Sequence, residues 1–85
     1  MEDIDLEDAK YQLGRIAHHY DSQIYVQSIE EHFDGELYKL FFQRGYQSYI
    51  LEVEGDRFRD WFMQADSEPE DMVKAIRTVV EELAT

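Results

Sequence analysis

The sequence contains no cysteine, only one proline and no long apolar run. Without cysteine the chain can form neither a disulfide nor a thiolate metal site, and it has no cysteine nucleophile. A helix that spans a bilayer needs about 20 apolar residues, and the N-terminus is acidic where a signal peptide is basic. We therefore expect a soluble protein that resides in the cytoplasm.

Basic residues are also scarce, with 8 Lys and Arg against 20 Asp and Glu and a formal net charge of −12. Proteins bind phosphate groups mainly with Lys and Arg, so this charge repels nucleic acid and anionic membranes. The expected partner is instead a basic protein, in particular one that binds nucleic acid. The alternative is that the acidic surface only keeps the protein soluble or adapts it to high salt.

The length of 85 residues fits one domain over 1–85. Although the charge is high, 44% of the residues are hydrophobic and 14% are aromatic. A chain of this composition can bury enough apolar surface to fold, which argues against disorder.

The stretch 37–53 predicts a β-hairpin around Gly45 and Tyr46. Glycine supplies the positive φ that a type II′ turn needs at its first position. The register that follows places one wholly apolar or aromatic set of pairs on one face: Tyr38 with Val53, Leu40 with Leu51, and Phe42 with Tyr49. Because a core-facing sheet surface is apolar, we expect this face to pack on the core.

A further strand is predicted before this hairpin, over residues 23–33. Asp34-Gly35 is typical of a type I′ turn between two strands. Strict alternation would point the first apolar side chains of this strand outward, so we expect a β-bulge near Gln27-Ser28.

Two helices flank the strands in the sequence pattern. Apolar residues recur at helical spacing over 6–20 after Asp5, a good N-cap residue. A second helix is predicted over 68–84, with Ser67 as its N-cap and Glu70 completing a capping box. The fold class is therefore α+β, with an N-terminal helix, a three- or four-stranded antiparallel meander and a C-terminal helix.

The segment 57–64 fits two structures. As a fourth strand it places Arg57 opposite Glu54 and Arg59 opposite Glu52, and both are favourable charge pairs. As a helical turn it places Phe58 and Trp61 on one side. We favour the strand.

The sequence offers little for catalysis or metal binding. Its four glycines are scattered and match no phosphate-binding loop. His18 and His19 are adjacent, so on a helix they point about 100° apart and do not form the i, i+4 pair that chelates zinc. We expect no enzyme, no cofactor and no metal site.

Our first functional hypothesis is that the acidic surface binds the partner by imitating the phosphates of a nucleic acid. Small acidic inhibitors of restriction and CRISPR proteins work in this way, and the chain is similar to them in size and charge. The candidate binding residues are Glu2, Asp3, Asp5, Glu7, Asp8, Glu30, Glu31, Asp34, Glu36, Asp66, Glu68, Glu70 and Asp71.

The second hypothesis is that an apolar patch of Phe41, Ile50 and Trp61 is the binding surface of a small adaptor or a homodimer. In the predicted pairing these side chains lie on the sheet face opposite Leu40 and Leu51. If both helices pack on the face of Leu40, the patch is exposed. If one helix packs on each face, the patch belongs to the core.

Overall fold

The computed structural model describes residues 5–63 and 68–84. The elements are helix α1 (Leu6–Tyr20), strands β1 (Ile24–His32), β2 (Leu37–Arg44) and β3 (Gln47–Glu54), and helices α2 (Gly55–Met63) and α3 (Glu70–Leu83). The strands form one antiparallel sheet in the order β1-β2-β3. The predicted α+β class is confirmed, and among these residues no helix combines the length and hydrophobicity needed to cross a membrane.

Helix α1 begins where its capping residue predicts. The Oδ1 atom of Asp5 accepts hydrogen bonds from the backbone N–H groups of Glu7 (3.0 Å) and Asp8 (3.4 Å), which satisfies two of the unpaired donors of the first turn. The buried face of the helix consists of Ala9, Leu13, Ile16 and Ala17.

The hairpin of β2 and β3 has the predicted register at every pair. Tyr38 lies opposite Val53, and Phe41 lies opposite Ile50. Gly45 has φ of +59°, as the first position of a type II′ turn requires. The alternation of apolar side chains along both strands, together with this turn, was sufficient to fix the pairing.

The connection between β1 and β2 contains the predicted type I′ turn. Asp34 has φ 55° and ψ 38°, and Gly35 has φ 89°, close to the values of that turn. Phe33 also has a positive φ of 55°, so the two strands end at His32 and Leu37, just outside the turn. The register shifts between Val26 and Ser28, which confirms the predicted bulge.

The favoured fourth strand is wrong, because Gly55–Met63 is the helix α2. The N–H of Gly55 donates to the carbonyl of Glu36 (2.8 Å), and a Cβ at residue 55 would lie 1.9 Å from the carbonyl oxygen of Gly35. The chain turns away from the sheet at this contact. Phe58 and Trp61 then lie on one side of a helix and are buried.

Helix α3 begins at Glu70, later than predicted, and Pro69 is its N-cap residue without a side-chain hydrogen bond. The predicted N-cap, Ser67, lies outside the described residues.

The helices contribute to one core on a single face of the sheet. The buried side chains of the three helices form one cluster with Tyr38, Leu40, Phe42 and Val53 of the strands. No helix of the described residues covers the opposite face, where Ile50 is 51% exposed. We call this opposite face the outer face.

Candidate binding surface on the outer face

Three apolar or aromatic side chains lie together near the middle of the outer face. Phe41 and Ile50 are direct cross-strand neighbours, and Tyr25 of β1 lies opposite Gln43, two residues along β2 from Phe41. Tyr25 is 52% exposed and Ile50 51%, and Phe41 is half-buried. We call Tyr25, Phe41 and Ile50 the outer-face patch.

A row of charged residues crosses the three strands beside this patch. Lys39 pairs with Glu30 on one side and Glu52 on the other in the strand register. Its Nζ atom lies 3.8 Å from the Oε2 atom of Glu52. The Oε1 atom of Glu30 is instead 3.0 Å from the Nε2 atom of His32. The row therefore holds two carboxylates for one lysine.

More carboxylates lie at the end of the sheet where β1 turns into β2. Asp34 and Glu36 are exposed in this turn. The hydrogen bond from the Gly55 N–H to the Glu36 carbonyl (2.8 Å) joins this turn to the junction of β3 and α2, which adds the exposed side chain of Glu54. We call Glu30, Asp34, Glu36 and Glu54 the hairpin-end acids.

Arg59 joins α2 to the turn between β1 and β2 at the same end of the molecule. Arg59 donates from Nη1 to the carbonyl of Gly35 (2.9 Å) and from Nη2 to the Oδ1 atom of Asp56 (2.7 Å). The second bond raises the pKa of Arg59. Arg59 thus bonds to Gly35 and Asp56, while the carboxylates of Asp34, Glu36 and Glu54 are exposed at the same end.

The structure separates the thirteen predicted acidic residues into distinct regions. Glu30, Glu31, Asp34 and Glu36 come together at the hairpin end, and all four are exposed. The exposed residues of the helix starts belong to the helical layer: Asp5, Glu7 and Asp8 at α1, and Glu68, Glu70 and Asp71 at α3. Glu2, Asp3 and Asp66 lie outside the described residues.

Asp5 and Asp71 have structural roles in the helical layer. Asp5 caps α1. Asp71 accepts hydrogen bonds from Arg57 Nε (2.5 Å), Arg57 Nη2 (3.0 Å) and Trp61 Nε1 (2.8 Å). The bonds from Arg57, followed by the bond from Trp61, hold the pKa of Asp71 below its ordinary value of 3.8. Asp71 therefore joins α2 to α3 and is a poor candidate for contacting a partner.

The assignment of Trp61 to the apolar patch is wrong. Trp61 is 2% exposed and packs in the core from α2, with Phe58 at 6.1 Å between ring centroids. The error follows from treating 57–64 as a strand. Tyr25 takes its place on the outer face, and the predicted bulge contained the signal for it: if Ile24 and Val26 turn inward, Tyr25 turns outward.

The described residues offer no arrangement typical of an active site. None of their side chains is both buried and polar or charged, and no buried side-chain nitrogen or oxygen lacks a hydrogen-bond partner. Within residues 5–63 and 68–84, no three His, Asp or Glu side chains are grouped to hold a metal ion. The candidate functional features of the described residues therefore lie on the surface.

Comparison with known proteins finds no matching family model, no matching curated protein and no matching solved structure.

Proposed function

We propose that the chain is a non-enzymatic protein-binding module that contacts a basic partner protein through its outer face. The observation that carries the proposal is the uncovered outer-face patch, with the hairpin-end acids beside it. Burial of an exposed apolar side chain contributes about 1.5–3 kcal/mol, so the three side chains of the patch can supply the centre of an interface.

The net charge of the chain indicates which kind of partner surface would bind. A surface rich in Lys and Arg would be attracted by the net charge of −12 and oriented by the carboxylates at one end of the sheet. Such charges form the rim of an interface and mainly affect the rate and specificity of association. A second copy of the chain is a weaker candidate partner, because it carries the same negative charge.

A nucleic-acid site on a basic protein is the specific surface that we propose for the contact. The hydrogen bond between the Gly55 N–H and the Glu36 carbonyl favours this version, because it gathers carboxylates from two separate turns at one end of the molecule. Such a cluster can replace phosphates on a basic surface. We expect the chain to act in the cytoplasm as an inhibitor of such a partner.

The test is site-specific photocrosslinking in a lysate of the source cell. The crosslinking residue p-benzoylphenylalanine replaces Ile50 on the outer face or Thr78, which is exposed on α3. We expect crosslinks from position 50 to a Lys- and Arg-rich segment of one protein, with a lower yield at about 0.5 M salt, where charges are screened beyond about 4 Å. Added duplex DNA should compete with them if the segment is a nucleic-acid site.

Three outcomes would contradict the proposal. Crosslinks from position 78 that match those from position 50 would show that the outer face is not selective. Crosslinks to an acidic or neutral segment would exclude the proposed partner chemistry. Crosslinks from position 50 to the chain itself, together with a dimer in sedimentation equilibrium, would identify the outer face as a homodimer interface.

A further inference from the structure

A groove of about 500 Å³ runs between α1 and β1, and Tyr25 of the outer-face patch lies at its border. Its walls include Lys10, Tyr11, Gly14 and Arg15 of α1 and the three consecutive residues Ile24–Val26 of β1. Tyr11 is 72% exposed at its rim. The groove has the size of small-ligand sites, but it is open along its length.

The groove follows the edge of β1 that is not paired with another strand of the described residues, although the N–H of Ile24 already donates to the carbonyl of Asp21 (3.1 Å). Ile24 and Val26 point into the core, and Tyr25 points to the outer face. Because these side chains lie on opposite faces of the sheet, a groove that borders all three residues must run along the backbone edge of β1. Within the described part of the chain β1 pairs with β2 alone. Backbone groups of alternate residues in a strand face opposite edges. Part of the backbone of Ile24–Val26 is therefore directed towards the groove.

Gly14 keeps the groove open opposite this edge. A Cβ atom at residue 14 would lie 4.0 Å from Cγ2 of Val26, an ordinary contact distance. Close packing of the helix on the sheet therefore does not require a glycine at this position. A larger side chain at this position would extend into the space between α1 and β1.

The charge of the groove is opposite to that of the molecule. The chain has 20 acidic residues and 8 Lys and Arg, whereas the groove is lined by Lys10, Arg15 and one acid, Glu7. His18 also lines the groove. Arg15 also lies 3.7 Å from Glu68, but both side chains are mostly exposed, so this pair is weak. The complementary occupant is anionic.

We propose that this groove binds an extended peptide segment with acidic and apolar side chains in alternation. The segment adds to the open edge of β1 as a further strand, a recognised mode of peptide binding. An apolar side chain fits over Gly14, and carboxylates lie near Lys10 and Arg15. The bulge that follows Val26 limits the regular edge to a short segment.

The test measures fluorescence anisotropy with a labelled pentapeptide of alternating Glu and Val, capped at both ends. We expect this peptide to bind, and a peptide with Lys in place of Glu to bind at least about tenfold more weakly. Gly14→Leu should weaken binding by about tenfold or more by filling the groove. Gly14→Ala should retain binding, since its Cβ contacts Val26 at 4.0 Å without closing the groove.

A pair of charge reversals tests the basic lining. Lys10→Glu should weaken binding of the acidic peptide by about fivefold or more, and Lys74→Glu, the same change on α3 outside the groove, by less than about twofold. Circular dichroism checks that each variant remains folded. In NMR spectra, the amides of Ile24–Val26 should shift on titration, and an amide of this segment that faces the groove should exchange more slowly with solvent.

Several results would overturn the proposal: no binding of the acidic peptide, equal shifts of the Ile24–Val26 amides by the Lys peptide, equal effects of the two charge reversals, or amide shifts confined to other strands. Phe41→Ser separates this groove from the proposed outer-face function. Phe41 is not among the residues that line the groove, so this substitution should leave peptide binding unchanged. Loss of peptide binding in this variant would assign the peptide to the outer face and exclude the groove.

Discussion

The same substitution is expected to have different effects at the neighbouring residues Phe41 and Phe42. Phe42 is fully buried among the helices, whereas Phe41 is half-buried on the outer face. Phe42→Ser should lower the free energy of unfolding by about 3–5 kcal/mol, because it leaves a cavity and a buried hydroxyl. Phe41→Ser should lower it by only about 1 kcal/mol and should remove crosslinking from position 50. Urea denaturation measures the free energy of unfolding of both variants.

Similar losses of stability in the two variants would mean that Phe41 belongs to a core and that the outer face is covered. An intact fold with unchanged crosslinking in Phe41→Ser would instead remove the outer-face patch from the binding surface.

The hydrogen bonds that Asp71 accepts predict how substitutions of this residue change the stability of the fold. Asp71→Ala removes the acceptor of both Arg57 and Trp61 and should cost about 1–2 kcal/mol. Asp71→Asn keeps an oxygen for the Trp61 N–H and should cost less than about 1 kcal/mol. Urea denaturation followed by Trp61 fluorescence measures both, and Glu70→Gln, an exposed neighbour, is the control. Equal effects of Asp71→Ala and Glu70→Gln would contradict the proposed role in joining α2 to α3.

The same carboxylate predicts a pH dependence. Hydrogen bonds from Arg57 and then Trp61 lower the folded-state pKa of Asp71 below 3.8. Its charged form therefore stabilises the fold above the unfolded-state pKa, and the contribution is lost as the pH falls through the folded-state pKa. The difference in unfolding free energy between wild type and Asp71→Asn should be constant near neutral pH and shrink below pH 3.8. A difference that grows with acidification would have the wrong sign.

At the scale of elements, two glycines predict opposite outcomes for the change to alanine. A Cβ at Gly55 would lie 1.9 Å from the carbonyl oxygen of Gly35, whereas a Cβ at Gly14 would lie 4.0 Å from Val26. Gly55→Ala should displace the junction of β3 and α2 and cost about 3 kcal/mol. Gly14→Ala should raise stability by up to about 1 kcal/mol, because alanine favours helix. Thermal unfolding of the two variants checks the signs, and a neutral Gly55→Ala would contradict this contact.

The elements also explain which parts of the fold were predictable from the sequence. The period of two along the strands fixes which face each residue occupies, so the β2–β3 register and the bulge in β1 followed from local pattern. The identity of α2 did not, because Arg57 and Arg59 have acidic partners in both structures. The helix is distinguished from the strand by the contact of Gly55 with Gly35 and by the bonds of Asp71 to α2. Both join residues far apart in the sequence.

The candidate binding surface was predictable to the same extent as the elements that carry it. The position of Phe41 and Ile50 on the outer face was predicted correctly because the hairpin register was correct. Trp61 was misplaced together with α2. That the three helices share one face of the sheet depends on packing between elements, which the local pattern does not encode. The charge inversion in the groove of α1 and β1 is likewise visible only once the helix lies against the strand.

At the scale of the whole molecule, the excess of acidic residues predicts opposite effects of salt on stability and on binding. At a net charge of −12, self-repulsion opposes the compact state. Salt also weakens the ion pairs, but exposed pairs contribute about 1 kcal/mol or less each. We therefore expect NaCl at about 0.5 M to raise the melting temperature by about 5 °C relative to about 20 mM, while it weakens binding of the basic partner.

A variant with three neutralised hairpin-end acids connects these two effects. Asp34→Asn, Glu36→Gln and Glu54→Gln remove three negative charges, and asparagine tolerates the positive φ of residue 34. The triple variant should be more stable than wild type in low salt, depend less on salt, and crosslink less from position 50. Differential scanning calorimetry and the crosslinking yield measure the two responses. If stability increases while crosslinking is unchanged, the acidic end serves solubility alone, and the outer-face patch must select its partner without it.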